Sequence, residues 1–195
     1  MHDSIYGDHR EGLVLAMENL QEEIRAIRTD MRDSSGMDPV EHILGRIKSE
    51  ESMREKCRRK GLEPTTENAL FGRIHDAIGV RVVCAFIDDV YVMRDRIAAL
   101  PAVEVVEEKD YIRNVKVNGY RSYHMIIRCM GYFAEIQIRT ISMDTWAALE
   151  HHLKYKKNPG GNTALISSEL KRCADELAST DVSLQAIRDM IQELE

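Results

Sequence analysis

YHMIIRCMGYFAEIQIRT, from Tyr123 to Thr140, consists of two apolar-rich runs separated by Met130 and Gly131. Runs of this length, rich in isoleucine and aromatic residues, read as β-strands, and so short a connection makes them a hairpin. Alternation in the second run puts Glu135, Gln137 and Arg139 on one face and Ile136 and Ile138 on the other. A carboxylate, an amide and a guanidinium in a row are costly to bury. Their face is therefore either the solvated side of an edge strand or the wall of a cleft.

Outward from the hairpin, VRVVCAF (80–86), with Ile78 ahead of it, reads as a buried strand, and AVEVVEE (102–108) as an edge or middle strand. Helices lie between and around them. From His9 to Met31, Leu13, Met17, Leu20, Ile24, Ile27 and Met31 recur at helical spacing, until Gly36 and Pro39 break the element. Ser49 reads as the N-cap of a short basic helix that stops at Gly61, and Thr65 or Thr66 caps the next, with Leu70, Phe71 and Ile74 inward. Asp88 or Asp89 starts another, with Val90, Met93, Ile97 and Leu100 inward and Pro101 at its end. Ser142 caps a helix carrying Met143, Trp146, Leu149 and Leu153, which NPGG (158–161) ends. From Thr163 to Glu195, Ile166, Leu170, Cys173, Leu177, Leu184, Ile187, Ile191 and Leu194 hold a heptad phase across Thr180, as one helix or two in register. The stripe suits either packing within the chain or assembly of several chains. Strands interspersed with helices, one pair of them a hairpin, define an α+β (α/β-like) fold with a mixed β-sheet.

A length of 195 residues fits one domain, 1–195, with appended helices at 9–31 and 163–195. The N-terminus MHDSIYGDHREG has neither a cationic leader nor an apolar signal core, and no apolar run is long enough for a membrane span, so a cytoplasmic protein is expected. Cys57, Cys84, Cys129 and Cys173 lack the spacing of a zinc site or a disulfide framework. A net charge of −6 disfavours a general nucleic-acid surface, so charge does not support RNA as a partner. The charge is uneven, however. Between Arg46 and Lys60, seven basic residues (Arg46, Lys48, Arg54, Lys56, Arg58, Arg59, Lys60) face three acidic ones (Glu50, Glu51, Glu55). That island is either a solvated helix face or the seat of one polyanion.

Several chemistries are absent from the sequence. There is no GxxxxGK[ST] loop and no GxSxG elbow, and the adjacent Glu150, His151 and His152 fall on diverging helix faces rather than at metal-binding spacing. Three stretches remain. In HDAIGVR (75–81), Asp76 and Arg81 either pair with each other, or Asp76 and a second acid hold magnesium while the guanidinium lies against something planar. KVNGYRSYH (116–124) offers a turn at Asn118–Gly119 where backbone can approach a ligand, Lys116 as a cation, Tyr120 as a flat ring for a base, and His124 as a polar edge. The bland reading there is a hairpin turn with ordinary strand tyrosines. EIQIRT (135–140) is the third.

Taken in order, GRIKSEESMREK, HDAIGVR, KVNGYRSYH, EIQIRT and WAALEHHLKYK resemble the synthetase domain of the RelA/SpoT family, the GTP pyrophosphokinases that make guanosine tetra- and pentaphosphate in the stringent response. The likeness runs from about Pro39 to Lys157 (39–157), with helices at both ends, as in a small stand-alone alarmone synthetase. It implies a nucleotidyltransferase-like catalytic core and transfer of the β,γ-pyrophosphate of ATP to the 3′-hydroxyl of GTP or GDP, with Mg²⁺. For ATP it implies Arg46 and Arg81 around the adenine, with Lys48, Ser52 and Lys56 toward the phosphates. Asp76 matches the magnesium ligand and Glu135 the essential glutamate beside the metal, able to activate the attacking hydroxyl. Tyr120 matches the ring that stacks on guanine. Lys116, Asn118 and His124 match acceptor contacts, and Gln137 and Arg139 line the same pocket. A homotetramer, with the alarmone as an allosteric ligand at a subunit interface, is also implied. One departure is the turn at Met130–Gly131, shorter than is usual in the family. A catalytically weak sensor of guanine nucleotide or RNA, or a nucleotidyltransferase that releases pyrophosphate, are the alternatives.

Overall fold

The computed structural model describes residues 4–155 and 163–194. After a short 3₁₀ turn (Gly7–His9) come helix α1 (Arg10–Ser35), strand β1 (Val40–Ile47), helices α2 (Glu50–Arg59) and α3 (Thr66–Leu70), and strand β2 (Ile78–Cys84). Helix α4 (Ile87–Ala98), strands β3 (Glu104–Asp110), β4 (Tyr123–Cys129) and β5 (Tyr132–Thr140), and helices α5 (Ile141–Tyr155) and α6 (Thr163–Gln192) follow. The strands form one sheet in the order β1-β2-β5-β4-β3. Only β2 and β5 run parallel; the other neighbours are antiparallel, so the sheet is mixed as expected.

The hairpin closes as its sequence requires. Met130 and Gly131 have φ of 49° and 82°, the two positive values of a type I′ turn, whose twist matches that of the strands. Asn19 on α1 donates to Met130 Sδ at 3.1 Å, tying the turn to the helix behind the sheet. On that side Ile78, Val80 and Val82 of β2, Met125 and Ile127 of β4, and Ile136 and Ile138 of β5 are buried. They meet Leu13, Leu20 and Ile24 of α1 and Val90, Met93 and Ile97 of α4 in one apolar core. Each such side chain contributes about 1.5–3 kcal/mol by leaving water. The opposite face of the same strands carries the polar residues.

Several elements differ from their sequence reading. Helix α1 runs on to Ser35, where Gly36, at φ 73°, takes the left-handed cap and donates to the Arg32 carbonyl. Strand β1 has no clear sequence signature, because it is an edge strand with a register shift between Val40 and His42 and little of it is fully buried. AVEVVEE is the opposite edge. Phe71 lies just past α3 and is exposed, while Ile74 is buried beyond that helix. Thr140, not Ser142, caps α5: its Oγ1 accepts the Met143 N–H at 3.2 Å. Leu149 and Leu153 point to solvent, and the NPGG stop lies outside the described residues.

Helix α6 is continuous across Thr180 and docks through Ala174 and Asp181, with Leu170, Cys173 and Leu177 of its heptad stripe half-buried beside them. Ile166, Leu184, Ile187, Ile191 and Leu194 of that stripe are exposed. No helix among the described residues is long and apolar enough to cross a membrane.

Candidate active site

The site is built on the sheet face opposite α1 and α4. Parallel pairing sets Gly79 beside Glu135 and Arg81 beside Gln137; antiparallel pairing sets Arg46 beside Gly79 and His124 beside Gln137. Residues dispersed over ninety positions of sequence thereby occupy adjacent strands. Arg46 lies over Gly79, its Cγ 3.7 Å from where a Cβ would stand, an ordinary van der Waals distance.

Asp76 enters just before β2. Its Oδ2 accepts from Lys48 Nζ at 2.7 Å and Lys56 Nζ at 2.6 Å. Burial disfavours the carboxylate, but the two lysines outweigh it and hold the group below the usual carboxylate pKa. Lys56 reaches Asp76 because α2 is fixed at its start, where Ser49 Oγ accepts the Ser52 N–H. Ser52 itself is exposed, its hydroxyl accepting from Ser49 Oγ at 2.9 Å.

Glu135 stands on the wall shared by two cavities. One, of about 340 Å³, is lined by Leu44, Gly45, Arg46, Arg81 and Gln137 among others; the second, of about 180 Å³, by Lys109, Tyr111, Lys116 and His124. Gln137 Nε2 donates to Glu135 Oε2 at 2.9 Å, and His124 Nδ1 lies 3.4 Å from Oε1. Burial raises the Glu135 pKa, but His124 and Gln137 prevail and leave it below the ordinary value; the negative charge of Asp76 acts against them. The two acids are therefore near enough to sense each other.

Beyond Glu135 the polar groups are chained. Arg139 is buried, and donates from Nη2 to Tyr120 Oη at 2.6 Å and Gln137 Oε1 at 2.5 Å, from Nε to Ser122 Oγ at 3.3 Å, and from Nη1 to Asp144 Oδ1 at 3.1 Å. Tyr120 Oη also lies 2.8 Å from His124 Nε2. The half-buried Tyr120 ring has Lys116 Nζ 4.9 Å and Arg139 Cζ 5.2 Å from its centroid. Such rings offer a face to cations and to planar bases alike.

Of the two readings of HDAIGVR, the Asp76–Arg81 pair is not formed; Arg81 Nη1 instead makes an ion pair with Asp144 Oδ1 at 3.1 Å. The tight approach at Gly119 is not toward a ligand pocket. At φ 91°, its missing Cβ would stand 2.7 Å from the Ala174 Cβ, so glycine is required for α6 to lie on the turn. Asn118 caps this turn, accepting the Tyr120 N–H at 3.2 Å while donating to Glu150 at 3.3 Å. The sequence reading also passed over Asp144, Tyr111 and Lys109. An acid in the first turn of a helix that follows an arginine-bearing strand was the available signal for Asp144, and the alternation Glu107, Lys109, Tyr111 for the others.

A pair of carboxylates suits Mg²⁺, which takes one or two protein carboxylates and completes its shell with water and phosphate oxygens. Asp76 Oδ1 is buried and has no hydrogen-bond partner, an anionic oxygen left over once the lysines have taken Oδ2. The residues present fit such an ion. Among the described residues there is no group of three or more His, Cys, Asp or Glu that could hold a metal ion, so these two carboxylates would do so with water and phosphate oxygens.

A sheet face with paired acids, dispersed cations and two adjoining cavities has the chemistry that phosphate transfer between nucleotides needs without a P-loop. The sequence model of the family described as "Region found in RelA / SpoT proteins" matches residues 45–160, and the chain belongs to that family. It is 39% identical over 181 residues to the GTP pyrophosphokinase YwaC of Bacillus subtilis, spanning 89% of this chain and 85% of the relative. Small alarmone synthetase 1 of Bacillus subtilis bound to its product pppGpp superposes with a TM-score of 0.78 at 31% identity, covering 91% of this chain and 93% of that one. The same synthetase bound to AMPCPP gives 0.71 at 29%, covering 93% and 94%.

Proposed function

We infer that this chain is a GTP pyrophosphokinase, which transfers the β,γ-pyrophosphate of ATP to the 3′-hydroxyl of GTP or GDP and releases AMP. The observation that carries the reading is Glu135, a depressed-pKa carboxylate on the shared wall of two cavities, one rich in arginine and the other in aromatic and lysine side chains. The likeness to a synthetase that holds pppGpp, and in another structure AMPCPP, supports it.

In this reading Arg46 and Arg81 clasp the adenine in the larger cavity, and Lys48 and Lys56, with Ser52 at the start of α2, face the phosphates. The acceptor lies against Tyr120, with Lys116, Asn118, His124, Gln137 and Arg139 around it. Glu135 orients the 3′-hydroxyl and accepts its proton as that oxygen attacks the β-phosphorus. The bond from the β-phosphorus to the α,β-bridging oxygen breaks, and AMP departs. Asp76 and Glu135 would hold Mg²⁺, which supplies neutralisation of phosphate charge when bound. Positioning and charge neutralisation account for most of such a transfer, so no covalent nucleophile is required.

Incubation with ATP, GTP and magnesium should give AMP and a guanosine bearing a 3′-pyrophosphate. Pyrophosphate release instead would identify a nucleotidyltransferase, and nucleotide binding without turnover a sensor. A need for ATP and GTP supports a cytoplasmic protein. The exposed apolar residues of α5 and α6, such as Leu149, Leu153, Ile187 and Ile191, support assembly into a homotetramer. Light scattering that reports a monomer would overturn it. Product added to the assay tests whether the alarmone acts as an effector of that assembly.

A further inference from the structure

We propose that Asp144 is a positioning residue that couples the ATP seat to the acceptor seat through a single carboxylate oxygen. The proposal rests on the pyrophosphokinase reading above. Oδ1 of Asp144 accepts a hydrogen bond from Arg139 Nη1 and forms an ion pair with Arg81 Nη1, each at 3.1 Å. Arg81 and Gln137 line the larger cavity, and Arg139 reaches both Gln137 there and Tyr120 toward the acceptor seat. Since Gln137 in turn donates to Glu135, the chain Arg81–Asp144–Arg139–Gln137–Glu135 links the two seats to the carboxylate between them.

The two arginines are not equally held. Arg139 is buried and its guanidinium has four acceptors, Ser122, Asp144, Tyr120 and Gln137. Arg81 is about one-third exposed, and its buried Nε has no hydrogen-bond partner. Burial and the neighbouring charges of Arg139 and Arg46 both work against its protonated form, and Asp144 opposes them. One anion between two cations leaves positive charge in excess, and the looser guanidinium is the one that can move. When Arg81 turns onto a bound purine, Oδ1 is left to Arg139, whose grip on Tyr120 and Gln137 then tightens. Binding at either seat thus changes the other, reciprocally.

The support under Asp144 is rigid. It lies in the first turn of α5, where the helix dipole favours its charge. Thr140 Oγ1 caps that turn and is itself bonded to Asp181 Oδ2 of α6 at 2.5 Å. A carboxylate that merely pinned α5 to the sheet would affect stability and leave the linkage between nucleotides untouched, which separates the two roles.

The test is calorimetric binding of a non-hydrolysable ATP analogue with and without saturating GDP, and of GDP with and without the analogue, in the wild type and in Asp144→Asn. In the wild type each nucleotide should tighten the other about fivefold, within the usual range of coupling between sites. In Asp144→Asn that factor should fall to one, and Asp144→Glu, which restores the charge, should recover part of it. As a second measurement, Arg81→Gln, which leaves Oδ1 to Arg139 without any nucleotide bound, should tighten GDP binding in the otherwise wild-type protein and have no effect on it in Asp144→Asn. A wild-type coupling factor of one, or a factor that survives in Asp144→Asn, overturns the proposal while leaving the pyrophosphokinase reading standing. A wild type that binds neither nucleotide overturns both.

Discussion

The two faces of β5 are one residue apart in sequence and opposite in chemistry. Ile136 and Ile138 are fully buried against α1 and α4, whereas Glu135, Gln137 and Arg139 each make discrete hydrogen bonds on the other side. Non-directional burial holds the first face, so volume matters there and identity less. The second is held by bonds of fixed geometry, so an isosteric change can leave stability almost unaltered and still remove function. Stability and activity should therefore separate cleanly between neighbouring residues.

Glu135→Gln gives the largest separation. Turnover should fall by about 10²–10⁴-fold, the usual worth of a positioned acid or base, while the ATP analogue still binds and Tm changes little. Product formation near the wild-type rate would reject the role of Glu135. On the other face, Ile136→Ala should cost about 2–5 kcal/mol in urea unfolding and leave KM for the folded fraction unchanged. If activity per folded molecule dropped as far as for Glu135→Gln, the two faces would not be independent. Tyr120→Ala, one strand away, should weaken GTP binding by about 1–3 kcal/mol, with ATP affinity far less affected, if a base stacks on its ring. Equal weakening of both nucleotides would instead mark the ring as a general support for the Arg139 network.

The smallest effect concerns pH. Burial raises the pKa of Asp181 above the ordinary carboxylate value, against opposing hydrogen bonds from Thr140 and Ser142. The folded state therefore binds this proton more tightly than the unfolded one. Its contribution is full below the unfolded pKa and is lost as pH rises through the folded pKa. Asp181→Asn, which can still accept from Thr140, should gain stability relative to wild type as pH rises above the ordinary carboxylate pKa. Thermal melts that showed the reverse trend would reject a buried, proton-favouring Asp181.

The period-two pattern of EIQIRT, the turn at Met130–Gly131 and the helical stripe of α1 were legible because each depends on local geometry repeated over several residues. Strand β1 was not legible, since Glu41, His42 and Gly45 dilute any alternation and only pairing with β2 makes the segment extended. Gly119 shows the same limit. Its need for positive φ could be read, whereas the helix packed over it, 55 residues later in the chain, could not. Asp144 was missed because its meaning depends on two arginines from different strands.

Sequence alone determined the alternation that divides β5 into an apolar and a polar face, the helix cap at Ser49, and the set of motifs that identifies the family. These depend on neighbours within a few positions, where backbone geometry leaves little choice. Tertiary structure alone decided that Lys48 and Lys56 converge on Asp76, that Glu135 borders two cavities, and that one oxygen of Asp144 serves two arginines. Such meetings arise when strands distant in the chain are brought side by side to bury their apolar face, and no local pattern encodes which polar groups will then be neighbours.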